Sequence, residues 1–483
     1  MRVALDTHGC RLNQFETEAM QRALAAAGHE VVATPAQADT YVLNTCTITA
    51  AADADARKAI RRARRANPEL AVVVTGCYAT GAPGEVAQLD GVRMVLGNVD
   101  KDSLVAQLDR LDGLDGLDRL DGLDRLDGLD RPDEPEPALP QAAVGAASAV
   151  GVAAPAGQVQ PSAIVSVEAL TRLSRLLPTL ATSPRTRPYL KVQDGCDYRC
   201  SFCIVPSVRG VSRSLPLSAV VGQLRALLAG GRPEVVLTGV HLGTYGRDLA
   251  PPQPRVTFAG LVQVLVAHLG AGRLRLSSLD PHEVDARLID LMARHPDRLC
   301  RHLHLPVQSG DDDILRVMRR AHTVADLRSL APRLAAAVPG VAIGSDLIVG
   351  FPGETRLAFD RTYALLEELP IAYAHVFSYS ARPGTHAATL GDHVPVPEKK
   401  RRNAALRALS SAKWNDFRRR SCGRLGSVVV EREVGVGWLE GLTDNYIRVR
   451  FRGSSGRLGS TAQVELQALD ADTDTVAGRL MDS

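Results

Sequence analysis

The stretch Gly195-Cys196-Asp197-Tyr198-Arg199-Cys200-Ser201-Phe202-Cys203 decides the fold, because it sets three thiols in the pattern Cys-x3-Cys-x2-Cys. Three thiolates hold three irons of a cubane 4Fe–4S cluster and leave the fourth iron open to an outside ligand. Structural zinc asks for four ligands, commonly with a second Cys or His pair close by. Residues 204–230 contain neither Cys nor His. A disulfide framework belongs to small secreted chains, whereas this chain has 483 residues and opens Met-Arg-Val-Ala-Leu-Asp with no apolar leader pattern. The expectation is an iron–sulfur site with one open iron, in a reducing compartment.

The spacing resembles the signature of the radical S-adenosylmethionine enzymes. That resemblance implies that the amino acid end of S-adenosylmethionine chelates the open iron and that Phe202 leans over its adenine. Around the motif, residues 186–395 read as six strand-plus-helix units. Strands are expected at 189–193, 235–238, 274–277, 302–306, 342–349 and 374–377, with helices at 217–228, 284–294 and 356–369. Such units close into a full or partial (β/α)6 barrel whose functional groups gather at the carboxyl ends of the strands. The thiol loop follows the first strand. The other ends offer Thr238 and Gly239, Ser278, Gln308, Ser309 and Asp346 as a cofactor cradle, with glycine allowing close approach of backbone. Thr238-Gly239 also resembles the radical-family segment that receives the amino group of S-adenosylmethionine. His302 and His304 read as barrel-core histidines, Cys300 and Cys422 as structural thiols, and no catalytic side chain is expected beyond the cluster ligands.

Residues 1–100 alternate strands at 3–7, 41–44 and 72–75 with helices at 13–27 and 51–65, the pattern of an α/β domain with a parallel sheet. Each strand runs into a cysteine: Thr7-His8-Gly9-Cys10, Asn44-Thr45-Cys46-Thr47 and Thr75-Gly76-Cys77-Tyr78. The carboxyl ends of parallel strands meet along one edge, so Cys10, Cys46 and Cys77 are expected to converge into a second three-thiol site. A lone buried Cys would read as a small hydrophobe; three with this placement read as metal ligands. A domain of this kind ahead of such a barrel looks like the methylthiotransferase family, whose N-terminal cysteines hold an auxiliary cluster carrying the sulfur to be inserted.

Residues 101–185 read as a linker or low-complexity insert, with Leu-Asp-Gly and Leu-Asp-Arg triplets whose period of three builds no helical stripe. A basic helix is expected from about 397 to 420. Beyond it, residues 421–483 read as a small antiparallel β-barrel with strands at 427–431, 446–451 and 462–467. Its position and character resemble the TRAM domain, an RNA-binding module. Arg448, Arg450 and Arg452 alternate and so share a face, with Tyr446 and Phe451 beside it as stacking groups. Arg209 and Arg213 are further candidate RNA contacts. No apolar run approaches the roughly 20 residues that span a bilayer, and a formal charge of +3 is too small to prove a polyanion partner.

The run from Thr7 to Met20, Thr-His-Gly-Cys-Arg-Leu-Asn-Gln-Phe-Glu-Thr-Glu-Ala-Met, is most similar to the branch of the family acting on threonylcarbamoyladenosine in tRNA. The isopentenyladenosine branch usually carries Asp where this chain has Glu16, and a third branch modifies an aspartate of a ribosomal protein. The resemblance implies a cytoplasmic monomer with two 4Fe–4S clusters and S-adenosylmethionine, drawing electrons from a flavodoxin or ferredoxin and acting on a tRNA anticodon stem-loop. A reading of another class, a non-catalytic RNA-binding iron–sulfur sensor, would bind metal and RNA without cleaving S-adenosylmethionine.

Overall fold

The computed structural model describes residues 1–111, 163–168, 170, 183–251, 256–470 and 472–481. The first domain is a six-stranded sheet of order β2-β1-β3-β4-β5-β6, with β1 (Arg2–Thr7), β2 (Glu30–Val32), β3 (Thr40–Thr45), β4 (Ala71–Gly76), β5 (Val92–Leu96) and β6 (Ile164–Ser166). Every neighbouring pair is parallel. Central β3 is buried along its whole length, as a strand covered on both faces must be. Helix α1 (Arg11–Ala26) covers one face through Met20 and Leu24, and α2 (Ala50–Ala66) the other through Ala56, Ala59, Ile60 and Ala63.

This domain runs past residue 100. Leu104, Leu108 and Leu111, at the i, i+4, i+7 spacing of one helix face, join the core beside α1, and β6 extends the sheet through Met94–Ile164 pairing. The stretch expected to be a linker from 101 therefore begins and resumes inside the first domain. Its triplet repeat lies, beyond residue 111, outside the described residues.

The central domain has β7 (Tyr189–Lys191), a short ribbon of β8 (Gln193–Asp194) with β9 (Arg213–Ser214), then β10 (Glu234–Thr238), β11 (Arg273–Leu276), β12 (His302–Gln308), β13 (Ala342–Val349) and β14 (Tyr373–Ser378). Two parallel triplets, β7-β10-β11 and β12-β13-β14, are joined by bridges at Leu274–Leu299 and Ser278–His304. The result is a six-stranded open barrel wall, backed by a continuous aliphatic core that includes Leu224, Leu261, Leu288, Leu334 and Leu365 from the outer helices. The first domain closes its open side. Gln14 of α1 accepts a hydrogen bond from Tyr189 of β7 (2.9 Å), while Arg382, just beyond β14, binds Thr47 and Asp53 (2.6 Å each).

A helix, Val396–Ser421, leads to a closed five-stranded barrel of order β15-β16-β17-β19-β18. Its strands are β15 (Leu425–Gly435), β16 (Trp438–Thr443), β17 (Arg448–Arg452), β18 (Thr461–Asp470) and β19 (Thr475–Leu480). This barrel docks on the amino ends of the central strands. Arg275 donates to the carbonyls of Thr443 and Asp444 (2.9 Å each), and Arg301 pairs with Asp444 (2.6 Å). The clamped turn holds Tyr446 at φ +70°, with its ring 4.3 Å from that of His302 on β12.

Candidate iron–sulfur and substrate site

The first-domain thiols follow three adjacent strands, β1, β3 and β4, whose carboxyl ends share one edge. Gly9 and Gly76 make the convergence possible. A Cβ on Gly9 (φ +116°) would stand 2.6 Å from Cys46 Cβ, and one on Gly76 (φ +98°) 2.4 Å from the Thr45 carbonyl oxygen. Burial, then the neighbouring thiol of Cys77, pushes Cys46 up to about 11. Asn98 directs its amide nitrogen at Cys77 Sγ (3.6 Å) and also donates to the carbonyl of Val208 in the central domain (2.6 Å).

The central thiols sit on the loop after β8. Gln193 organises it, donating to the carbonyl of Gly195 (2.8 Å) and to Ser212 (2.9 Å) while accepting from the backbone N–H of His241 (2.7 Å). Cys196 Sγ lies 3.3 Å from Nδ1 of His241, whose Nε2 is 2.9 Å from Glu283, and Arg320 donates to Cys200 Sγ (3.4 Å). Burial first, and the neighbouring thiols after it, push Cys196 up to about 12; burial with Cys200 holds Cys203 at about 11. Thiols held protonated, as Cys46, Cys196 and Cys203 are, lose those protons to solvent when a metal cation binds the thiolates. Each group has the three-sulfur donor set of a cubane cluster with one open iron, so both sites fit the cofactor.

The two sites are packed against one another. Cys77 touches Ile204, which follows Cys203 directly, and Val208 one helical turn on, in a small apolar contact of their own. Beneath it lies a buried polar lock. Glu16 of α1 binds Lys101 (2.5 Å), Lys191 of β7 (2.8 Å) and Arg209 (2.9 Å); Arg209 also binds Asp194 (3.1 Å) and Asn13 (2.7 Å). Burial works to raise the Glu16 carboxyl, but Arg209, Lys101 and Lys191 outweigh it and hold it well below the usual range.

Two family models match the chain. One, described as an uncharacterized protein family, UPF0004, covers residues 2–97, and the radical SAM superfamily covers residues 190–366. The chain is 33% identical, over 96% of its length and 93% of the relative's, to threonylcarbamoyladenosine tRNA methylthiotransferase MtaB of Bacillus subtilis. The chain belongs to the radical S-adenosylmethionine methylthiotransferase family. It is also 34% identical to the ribosomal protein uS12 methylthiotransferase RimO of Roseiflexus castenholzii (89% of this chain, 85% of that one). A tRNA-2-methylthio-N(6)-dimethylallyladenosine synthase of Pseudomonas aeruginosa is 31% identical (99% and 98%). Among solved structures, the radical S-adenosylmethionine methyltransferase TsrM from Kitasatospora setae shares the fold, with a TM-score of 0.54 at 16% identity over 80% of this chain and 77% of that one. The protein is thus a radical SAM enzyme, and enzymes of this family work with two 4Fe–4S clusters and S-adenosylmethionine.

In this methylthiotransferase, Thr238, Gly239, Ser278 and Gln308 lie at or just past the carboxyl ends of barrel strands, whereas Asp346 is mid-strand in β13, 3.1 Å from His304. Gln308 adopts φ +70°, a conformation rarely held by a residue with a side chain unless its surroundings enforce it. Phe202 packs with Ile348 against Met318, Phe351 and Tyr379. Four further expectations need correction. Ser309 is fully buried and turned outward, its hydroxyl accepting from the N–H of Asp311 (3.2 Å) beside Thr362. Arg209 is 4% exposed and locked in the domain junction, so it cannot meet RNA. Phe451 is in the core of the terminal barrel. Tyr446 points into the central barrel, held there by the clamped turn. Arg213 is half-buried beside Asp194 (3.7 Å), and Arg448 pairs with Glu440 (2.6 Å). Arg450 and Arg452 flank Trp438 at 4.9 and 4.2 Å from its ring centre. Sequence reasoning passed over Trp438, Arg11, Asn98 and Arg320. For Arg11 a signal existed, since it directly follows Cys10, the first thiol of its group.

Proposed function

We propose that this methylthiotransferase adds a methylthio group to carbon 2 of N6-threonylcarbamoyladenosine beside the anticodon of tRNA. The observation carrying this reading is the polar floor of the central barrel. Arg11, Ser277, His302 and Tyr446 meet there, with His304, Asp346, Tyr373 and His375 beside them: His304 lies 3.1 Å from Asp346, and His302 bonds the Tyr373 hydroxyl (2.8 Å). A threonylcarbamoyl group offers a urea, a hydroxyl and a carboxylate to such a floor. A dimethylallyl group offers nothing, and each polar group it left unpaired would cost about 1–3 kcal/mol. An aspartate side chain also carries a carboxylate, but Trp438 between two arginines on the terminal barrel is suited to stacking and phosphate contact with RNA.

Cys10, Cys46 and Cys77 would hold the auxiliary cluster, and Cys196, Cys200 and Cys203 the one that binds S-adenosylmethionine. When bound, the second supplies the electron that splits S-adenosylmethionine and the first supplies the sulfur. The chain's own residues position and seal. Thr238, Gly239, Ser278 and Gln308 cradle the cofactor and Phe202 borders its adenine, while Asp346 belongs to the floor through His304. The first domain covers the open side of the barrel and keeps water from the reacting carbon. Adenine in a folded anticodon loop must leave its stack to enter such a lumen. The division of labour follows the domains: sulfur donor in the first, radical chemistry across 186–420, RNA contact in 421–483. The enzyme works as a monomer in the cytoplasm with a flavodoxin or ferredoxin as reductant. No described helix is long and apolar enough to cross a membrane.

The test is to give the reconstituted protein, with reductant and S-adenosylmethionine, tRNA carrying threonylcarbamoyladenosine or isopentenyladenosine and to digest the products for nucleoside mass spectrometry. A 2-methylthio product from the first tRNA alone is expected. Product only from the second, or from neither, overturns the reading.

A further inference from the structure

Arg11 is the first residue of α1 and the neighbour of Cys10. Its side chain leaves the first domain, enters the central barrel and donates to Ser277 Oγ at the end of β11 (3.0 Å) and to the hydroxyl of Tyr446 from the terminal barrel (2.6 Å). It is the point at which all three domains meet, and it lines a cavity of about 410 Å³ with Tyr189, Tyr446, Arg185 and Arg187, where the one carboxylate, Glu431, is taken by Arg187 (2.7 Å).

What sets Arg11 apart is its lack of a counter-ion. The other cations of this junction each have a carboxylate: Lys101, Lys191 and Arg209 have Glu16, Arg273 and Arg275 have Glu234, and Arg320 has Asp280. Among the described residues none pairs with Arg11, whose two partners are neutral hydroxyls. A guanidinium has five N–H donors in a planar fork. Two are spent, which leaves the donors that a bidentate carboxylate requires. The two hydroxyls hold the fork in place without neutralising it.

We propose that Arg11 binds the carboxylate of the threonylcarbamoyl group and so selects the substrate. This rests on the function proposed above and names the residue that reads it. The geometry is self-consistent. Adjacent Cα atoms lie about 3.8 Å apart, so the donor site at Cys10 and the cation at Arg11 keep a fixed spacing on one rigid helix start. In adenine, carbon 2 and N6 both lie on the Watson–Crick edge, so a substituent on N6 runs along the edge that carbon 2 presents to the sulfur donor. One end of the substrate would be held by Arg11 while the other meets the sulfur.

The experiment compares kcat/KM for tRNA carrying threonylcarbamoyladenosine with the same tRNA after conversion of its threonyl carboxylate to the methyl ester. It is run on wild type, Arg11→Gln and Arg11→Lys, each checked for full iron content. Wild type is expected to prefer the free carboxylate by about 10²-fold, mainly through KM. Arg11→Gln should lose that preference, and Arg11→Lys should recover part of it, which a purely structural role of Arg11 would not produce. Equal use of acid and ester by wild type, or full discrimination retained in Arg11→Gln, overturns the assignment while leaving the proposed function standing. Wild type inert on both tRNAs sinks the proposed function, and the assignment with it.

Discussion

The two three-thiol sites reach one chemical composition by opposite routes. Cys196, Cys200 and Cys203 come from one loop of eight residues, shaped by the Gln193 side chain through Gly195, Ser212 and the N–H of His241. Cys10, Cys46 and Cys77 come from three strands and exist as a site only when β1, β3 and β4 are paired in register. The first kind of site can form wherever its loop forms. The second depends on a whole domain and, through Arg209 and Glu16, on that domain's seat against the barrel.

Ligand removal breaks the comparison most completely. Cys200→Ala should abolish deoxyadenosine formation and lower the iron content from about eight to about four. Cys46→Ala should lose the same amount of iron, keep reductive cleavage of S-adenosylmethionine and make no thiolated product. Anaerobic iron and sulfide analysis with electron paramagnetic resonance reads both. Thiolation surviving in a Cys46→Ala protein without its auxiliary cluster would sink the sulfur-donor role.

The next effect isolates dependence on the seat. Arg209→Ala removes one of the two cations that Glu16 and Asp194 share and leaves both carboxylates on Lys191 (2.8 Å each). Leaving a buried charge wholly unpaired costs about 3–5 kcal/mol, and with Lys191 in place the loss should fall below that range. We expect a lower unfolding midpoint in urea and loss of the first-domain cluster ahead of the central one. Equal loss of both would mean that the central loop also leans on the junction.

Acid should act on the same lock. Burial raises Asp194, but Lys191 and Arg209 outweigh it and bring the group to about 2, against about 3.9 when unfolded. A carboxyl depressed by folding contributes stability that is fully present above the unfolded value and is lost as pH falls through the folded one. The contribution, about 2–3 kcal/mol, should therefore disappear between about pH 4 and pH 2. Denaturant titration of cluster-free protein across that window checks it, and Asp194→Asn should flatten the slope.

What the chain discloses about itself follows the same divide. Strand β13 agrees with its expected bounds of 342–349 because an apolar run ends in Gly350 and a turn. The gathering of Cys10, Cys46 and Cys77 at one sheet edge was legible because each comes at the end of its own parallel strand. Strands β16 and β19 were missed: Glu440 and Gly441 interrupt the apolar pattern of the first, and Ala477 to Arg479 that of the second. Arg209 looked like a solvent-facing base because the two carboxylates that make its burial tolerable are 193 and 15 residues away in sequence. Tyr446 looked like a stacking group for RNA because nothing local shows that Arg275, Arg301 and Asn445 turn it inward. Local chemistry was readable; partnerships made by docking were not.

The finest distinction between the sites is the donor each aims at sulfur. Cys77 has the amide of Asn98 at 3.6 Å, and Cys200 has the guanidinium of Arg320 at 3.4 Å. Such outer donors orient the ligand and stabilise the charge on its sulfur, and their loss typically weakens metal binding about 10–100-fold. Asn98→Ala should lie toward the lower end for the first-domain cluster, because Cys77 also keeps its apolar packing on Ile204 and Val208. Arg320→Gln should loosen only the central cluster, since His282 and His322 still meet Asp280 (2.9 and 3.3 Å) when the arginine is gone. Chelator competition followed by electron paramagnetic resonance, resolving one cluster from the other, measures both. If either substitution released both clusters at one rate, the contact between Cys77 and the residues after Cys203 would make them a single cooperative unit, and the contrast between a loop-built and a sheet-built site would be one of assembly alone.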